Sequence, residues 1–351
     1  MEVDYIIVGL GLAGLAFAEE LSQNNKSFVV FEDHSQTSSL VAGGVYNPVI
    51  LKRFTPVWNA KEQLEIALPF YHSLEKKLGS NLDYKFSTRK VFKSIEDQNN
   101  WYIASDKPIL SEFMNPKILK EKVNGIIGDY GFGEVYKTGR IDTHKLIEFY
   151  RKRLEEKDQI KYEKFNHSEI AFTDSSSTYK GIVAKQIVFC EGFGLKQNPF
   201  FNYLPLNEAK GELITIHAPN LNIQFLVKST LFILPIGDDL YKVGATFNWK
   251  DKTSTPTDEG KQELIDKLKK VIDVPYQIVD HSAGIRPTVK DRRPLVGVHP
   301  KYKQLVVFNG LGTRGVMIAP SLAKELYKHL ENGEEISKEI SISRYKKTLL
   351  Q

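Results

Sequence analysis

The chain is nearly free of cysteine: Cys190 is the only one in 351 residues. A single thiol excludes an internal disulfide framework and suits a reducing compartment. Long apolar runs are also missing, and nothing approaches the roughly 20 apolar residues of a membrane span. One run, Tyr5 to Ala18, imitates a secretory leader. It follows Glu2 and Asp4 rather than basic residues, and three glycines interrupt it. Charge of one sign is scarce too. A formal net charge of +5 tolerates an anionic partner without demanding one. The eight histidines show no H-x-x-x-H or paired-cysteine spacing, so no metal site is expected. No internal repeat or long low-complexity linker occurs. The one biased stretch, Asp174-Ser175-Ser176-Ser177-Thr178, reads as a hairpin turn. What remains is an ordinary globular composition, 41% hydrophobic. The chain is long enough for two domains, and a cytoplasmic location is the expectation.

What is present is concentrated in Asp4-Tyr5-Ile6-Ile7-Val8-Gly9-Leu10-Gly11-Leu12-Ala13-Gly14 and Val29-Val30-Phe31-Glu32. Tyr5 to Val8 is apolar on both faces, as a buried parallel strand must be. Gly9, Gly11 and Gly14 form a G-x-G-x-x-G fingerprint. The first allows a tight turn, the second lets a pyrophosphate approach, and the third lets the helix pack on the strand. Gly14, Phe17, Ala18 and Leu21 then fall on one helical face, and the helix N-terminus supplies positive potential for phosphates. Glu32 closes the second strand where a carboxylate can accept both hydroxyl protons of an adenosine ribose. An ADP-containing dinucleotide is implied. From this fingerprint alone an NAD-dependent dehydrogenase and a non-catalytic dinucleotide-binding module both stay open.

Further along, helical periodicity runs from Asn59 to about Leu78 through Leu64, Ala67, Leu68, Tyr71 and Leu74, and a second helix is expected from Thr143 to Glu156. The region from Lys85 to Val135 is mixed, with a strand at Arg89 to Ile95. Strands are expected at Glu169 to Thr173 and Gly181 to Phe189, then at Glu212 to His217, Leu226 to Pro235 and Tyr241 to Phe247 as an antiparallel sheet. Leu305 to Phe308 reads as a buried strand, Asn309 to Gly315 as a glycine-rich turn, and Ala319, Leu322, Ala323, Leu326 and Leu330 as one helix face with Gly333 as C-cap.

Together these features resemble the D-amino-acid oxidase superfamily of FAD-dependent amine oxidoreductases over nearly the whole length. The resemblance rests on the fingerprint with Glu32, Gly43-Gly44, Cys190-Glu191-Gly192 and Lys210-Gly211-Glu212-Leu213. It also rests on Gly244-Ala245-Thr246-Phe247, Ala283-Gly284-Ile285-Arg286-Pro287 and Asn309-Gly310-Leu311-Gly312-Thr313-Arg314-Gly315. The most similar branches are glycine oxidase and the oxidoreductase half of a tRNA wobble-uridine modifying enzyme, which removes a carboxymethyl group. Gly44-Val45-Tyr46-Asn47-Pro48 and Leu311 to Gly315 are most like the latter, whose methyltransferase half has no counterpart here.

The resemblance implies an α/β fold: an FAD-binding Rossmann-like domain from residues 1–58, 138–202 and 281–351, and an antiparallel-sheet substrate domain from 59–137 and 203–280. It implies non-covalent FAD against Gly9, Gly11, Leu12, Ala13, Gly14, Glu32, Asp33, Gly43, Gly44, Val45, Gly192, Gly310, Gly312, Thr313, Arg314 and Gly315. It gives Arg286 the substrate carboxylate through a two-pronged contact. The implied activity is oxidation of the C–N bond of an amino acid or N-substituted glycine by hydride transfer to flavin N5, with water hydrolysing the imine. The alternative is the tRNA reaction.

Each residue also has a plainer account. Arg286 would then pair with Asp280 or Asp291, the Gly312 turn would be structural, and Cys190 would be a core thiol. Lys52-Arg53 and the group Lys85, Arg89, Lys90 and Lys93 would be either RNA contacts or a solvated face. Where glycine oxidase has a tyrosine this chain has Phe232, which disfavours glycine as substrate. Tyr46 and Tyr241 are the tyrosines that could substitute.

Overall fold

The computed structural model describes residues 1–35 and 37–345. Strand β1 (Glu2–Val8), helix α1 (Leu12–Gln23) and strand β2 (Phe28–Phe31) form the opening βαβ unit. β1 and β2 pair in parallel, Tyr5 opposite Phe28 and Val8 opposite Phe31. Alternate residues serve opposite faces. Tyr5, Ile7 and Val30 join the core beneath α1, whereas Ile6, Val8 and Val29 join a separate core on the other side. A strand buried on both faces cannot alternate polar and apolar residues, which is why the sequence reads as continuous apolar runs.

After a small-residue loop, helix α2 spans Ala60–Leu78. Strands β3 (Thr88–Val91) and β4 (Phe132–Val135) follow, then helix α3 (Thr143–Glu155) and strand β5 (Ile182–Phe189). The next stretch is β6 (Leu206–His217), β7 (Leu226–Lys228), β8 (Phe232–Gly237), β9 (Leu240–Gly244), helix α4 (Asp258–Leu268) and β10 (Gln277–Val289). Strands β11 (Leu295–Val298) and β12 (Leu305–Asn309) and helix α5 (Gly315–Asn332) complete the main frame. Gly333 caps α5 in the left-handed region, φ 73°.

Two sheets organise these elements. In the eight-stranded sheet β5 pairs in parallel with β1 on one side and β12 on the other, and β11 runs antiparallel to β12. The expected turn near Asp174 joins a short hairpin, Ala171–Phe172 with Ser177–Tyr179, at its edge. The seven-stranded sheet runs β10-β6-β9-β8-β7-β3-β4. All its pairs are antiparallel except β7 with β3. One face carries its own core, including Ile214, Ile233, Val243, Leu264 and Leu268; the other faces the nucleotide-type sheet.

Several expected boundaries move. The run Leu226 to Pro235 is two strands, because Ser229 N–H donates to the Leu231 carbonyl in a tight turn. Arg89 to Ile95 ends as a strand at Val91, since Ser94 caps a helix by accepting the Asp97 N–H. Glu169 to Thr173 opens with a 3₁₀ turn and keeps only Ala171–Phe172 extended. Tyr241 to Phe247 leaves the ladder at Gly244. The junction expected at 281 falls inside β10, which stays paired with β6 to Val289. Helix α2, expected with the second domain, packs on the first: buried Tyr71 donates its hydroxyl to the Val316 carbonyl of α5.

Candidate active site

In open α/β sheets the ligand crevice lies at the carboxyl ends of the strands, where loops diverge and helix N-termini point inward. Here β1, β2, β5 and β12 deliver Val8-Gly9, Phe31-Glu32, Cys190 and Asn309 to one cavity of about 1160 Å³. That exceeds the roughly 300–1,000 Å³ usual for one small ligand. Residues near both ends of the chain meet there: Gly9 to Ala13 on one wall, Leu311 to Met317 on another.

The fingerprint glycines are demanded by contacts. Gly9 has φ 93°, and a Cβ on it would sit 2.8 Å from the Cys190 carbonyl oxygen; one on Gly14 would sit 2.0 Å from the Gly9 oxygen. Any side chain at Gly14 would therefore prise α1 off β1. Gly11 lines the cavity as the N-cap of α1 and offers no side chain that would occupy the first-turn amides. Ser39 Oγ accepts the Leu12 N–H (3.3 Å), and the rest of this positively poised helix end borders open space, which fits a pyrophosphate.

Glu32 is buried just past β2, and its carboxylate accepts the Leu10 N–H (2.6 Å), the His34 N–H (3.1 Å) and Arg151 Nη2 (3.1 Å). It borders the cavity with Asp33. Gly43, Gly44, Val45, Gly192, Gly312, Thr313, Arg314 and Gly315 line the cavity as well. Gly14 and Gly310 do not; Gly310 turns the chain with φ 73° against Val289. Gly315 and Val316 open α5 with no preceding turn to accept their amides, so these donors face the crevice.

Arg286 comes from β10 into the same cavity. Its guanidinium lies on the backbone of Gly211 in β6, so a Cβ there would come within 1.8 Å of Nη2. Nη1 donates to the Thr246 carbonyl (3.3 Å), and Phe247 covers the plane at 4.3 Å. Among the described residues no carboxylate pairs with it. Asp291 is engaged instead by Arg344 Nε (3.0 Å) and the Tyr345 hydroxyl (2.7 Å). Burial lowers the guanidinium to about 10, the signature of a desolvated cation. Gly211, Thr246 and Phe247 belong to the motifs that carry the family resemblance, but their contact with Arg286 is visible only in the fold; the Lys-Gly-Glu run is the one signal of it in the sequence.

Phe232 lines the cavity beside Gly43, its ring 3.6 Å from where a Gly43 Cβ would stand. Neither candidate tyrosine replaces the missing hydroxyl. Tyr46 is buried and donates to Asp83 (2.8 Å), and no tyrosine lines the cavity among the described residues. Cys190 borders the cavity as a buried thiol that burial holds well above its ordinary pKa. Of Lys52, Arg53, Lys85, Arg89, Lys90 and Lys93, the cavity is lined by Lys52, Lys90 and Lys93. Arg89 instead pairs with Glu121 (2.6 Å) and stacks on Phe225, and exposed Lys85 sits 4.0 Å from Asp83.

A profile of the DAO family, FAD dependent oxidoreductases, matches residues 4–328. The chain belongs to that family. This oxidoreductase is 24% identical to glycine oxidase of Bacillus subtilis, across 90% of the chain and 89% of that protein. It is 23% identical to the tRNA 5-methylaminomethyl-2-thiouridine biosynthesis bifunctional protein MnmC of Campylobacter jejuni, covering 83% of the chain but 45% of that protein. Its fold matches the glycine oxidase structure from Geobacillus kaustophilus with a TM-score of 0.79, at 18% identity and 98% coverage of both chains. The cofactor of the oxidoreductase is FAD, and the glycine cradle and helix N-termini described above are a chemical match for it.

Proposed function

We propose that the oxidoreductase binds FAD non-covalently and oxidises the C–N bond of an amino acid or N-substituted glycine whose carboxylate rests on Arg286. When bound, the flavin supplies the hydride acceptor. Everything else is positioning and electrostatics by this chain. Arg286 offers a planar, buried, acid-free guanidinium to a carboxylate, and this single observation carries the reading. Fixing the carboxylate fixes the α-carbon, and such orientation accounts for much of an enzymic rate enhancement. Amides at the start of α5, with Arg314 beside them, place positive potential along the wall where reduced cofactor would carry negative charge. An amine that arrives neutral needs no protein base. Phe232 and Gly43 make the adjoining wall apolar, which suits an N-substituent better than unsubstituted glycine.

A second reading, oxidation of a modified wobble uridine in tRNA, draws on the likeness to MnmC. Anaerobic mixing of the flavin-loaded enzyme with D-amino acids, sarcosine, glycine and modified tRNA separates the two. Bleaching of the flavin band by small amines supports the first; bleaching by tRNA alone, with salt-dependent retention, supports the second. No bleaching with any amine would leave only a cofactor-binding module. In the productive case, Arg286→Ala should lower the reductive rate constant per molar substrate about a hundredfold, and an unchanged value would dismiss Arg286 as anchor.

A further inference from the structure

The sheet face that forms the cavity floor carries a second cationic site. Lys90 on β3 and Lys228 on β7 are register partners, and Lys228 is in turn opposite Phe232 on β8. Register partners project to the same face, and all three line the cavity. Continuing across the sheet, Phe232 faces Gly244, Gly244 faces Leu213 and Leu213 faces Ser282 on β10. Arg286 lies four residues beyond Ser282, on the same side by the two-residue period. The floor thus bears Arg286 at one margin and a lysine pair at the other.

Among the described residues no carboxylate forms an ion pair with either lysine, and Asp97 is the acid whose charge acts on Lys90. Lys90 Nζ reaches only the Val91 carbonyl (3.0 Å), and Lys228 has neither carboxylate nor hydrogen-bond partner among the described residues. Lys93 and Lys267 border the same end; Lys267 is paired with Glu263, and Lys93 adds to the positive field. Asp97 lines this end as well, its Oδ2 accepting the Lys93 N–H (2.9 Å), and its single negative charge offsets only part of the lysine charge there. Like charges side by side on adjacent strands are unfavourable. Burial, then the charges of Lys90, Lys267 and Lys93, lower Lys228 to about 8. A protein that keeps this arrangement facing open space is organised to receive an anion.

We propose that Lys90 and Lys228 form a distal anion subsite that holds a phosphate or carboxylate group of the same substrate whose near carboxylate is on Arg286. The inference rests on that reading of Arg286 and extends it to substrate class. Four inter-strand steps and four residues along β10 separate Lys228 from Arg286, or about 23 Å at Cα, shortened by the two long side chains. The carboxylates of a free dicarboxylic amino acid cannot span this. The substrate is an extended amine with an anionic far end. Lys90 is only 9% exposed and is approached through the cavity, which favours one low-molecular-weight anion over an RNA backbone tracking an open surface.

Inorganic phosphate is the direct probe. It is titrated into the resting flavin-loaded enzyme with no amine present, following the flavin absorbance spectrum and binding heat. Its failure is therefore separable from a failure of amine oxidation. Saturable binding that weakens about tenfold in Lys228→Met and in Lys90→Gln, each checked for unchanged flavin content, supports the subsite. Absent binding, or equal affinity in wild type and both variants, overturns it. A nucleoside monophosphate and a long-chain dicarboxylic amine then compete with phosphate, the tighter one naming the anion. Retention of an RNA oligonucleotide that is lost in both variants would overturn the assignment to a small substrate.

Discussion

At the scale of single residues, Gly211 and Arg286 act as one unit. The guanidinium occupies the space where any other side chain on Gly211 would stand, so Gly211→Ala must displace it while leaving the cofactor cradle alone. We expect flavin content to be unchanged, KM for carboxylate-bearing amines to rise about tenfold or more, and kcat to fall less. An amine without a carboxylate should react equally with wild type and variant; a shared loss would mean general distortion rather than lost positioning. Gly211 belongs to the Lys210-Gly211-Glu212-Leu213 motif, yet its task is not legible in the linear sequence. It depends on Ala209 facing Arg286 and Gly211 facing Gly284 across β6 and β10, a pairing of segments about 75 residues apart.

Among elements, the junction of β6 with α4 shows how the substrate-side sheet is tied together. Glu212 on β6 accepts the Thr257 N–H (2.9 Å) and hydroxyl (2.8 Å) and meets His281 Nε2 (2.8 Å), while Thr257 caps α4 by accepting the Gly260 N–H (3.1 Å). Fully buried Lys210 bridges to Glu212 (3.4 Å) and to Asp251. Burial alone would raise the Glu212 carboxyl, but the Thr257 bonds and the charges of Lys210 and His281 outweigh it and hold it below its ordinary value. A carboxyl lowered in the folded state stabilises fully above its unfolded value, about 4.3, and the contribution is lost as pH falls through the folded value. Glu212→Gln should therefore cost about 2 kcal/mol at pH 7 and converge with wild type in acid. Urea unfolding at several pH values measures this, and a constant difference across pH would refute the ionic account.

For the whole molecule, the decisive arrangement is that Gly9 and Thr313, 304 positions apart, border one cavity. A ligand held by both ends stabilises the entire first domain. FAD at a hundred times its Kd adds about 2.7 kcal/mol, which corresponds to a Tm rise of roughly 5 °C for deflavinated protein. Gly14→Val, which would drive α1 away from Gly9, should abolish the shift; a full shift in that variant would place the cofactor elsewhere.

Much of this was legible before any coordinates, and the reason is locality. The turn, helix and acid of the opening βαβ unit are separated by a few residues each, so backbone sterics and periodicity encode them directly. The resemblance added Arg286, and the fold brings it into the cavity that the fingerprint glycines line. What the linear chain could not disclose is everything that depends on register between distant strands: the break at Ser229, β10 running through residue 281, the Phe247 lid on Arg286, and Lys90 beside Lys228. Local propensity sets which segments extend or coil. The neighbours that end up touching are chosen by burial of whole sheet faces, a property no short window of residues contains.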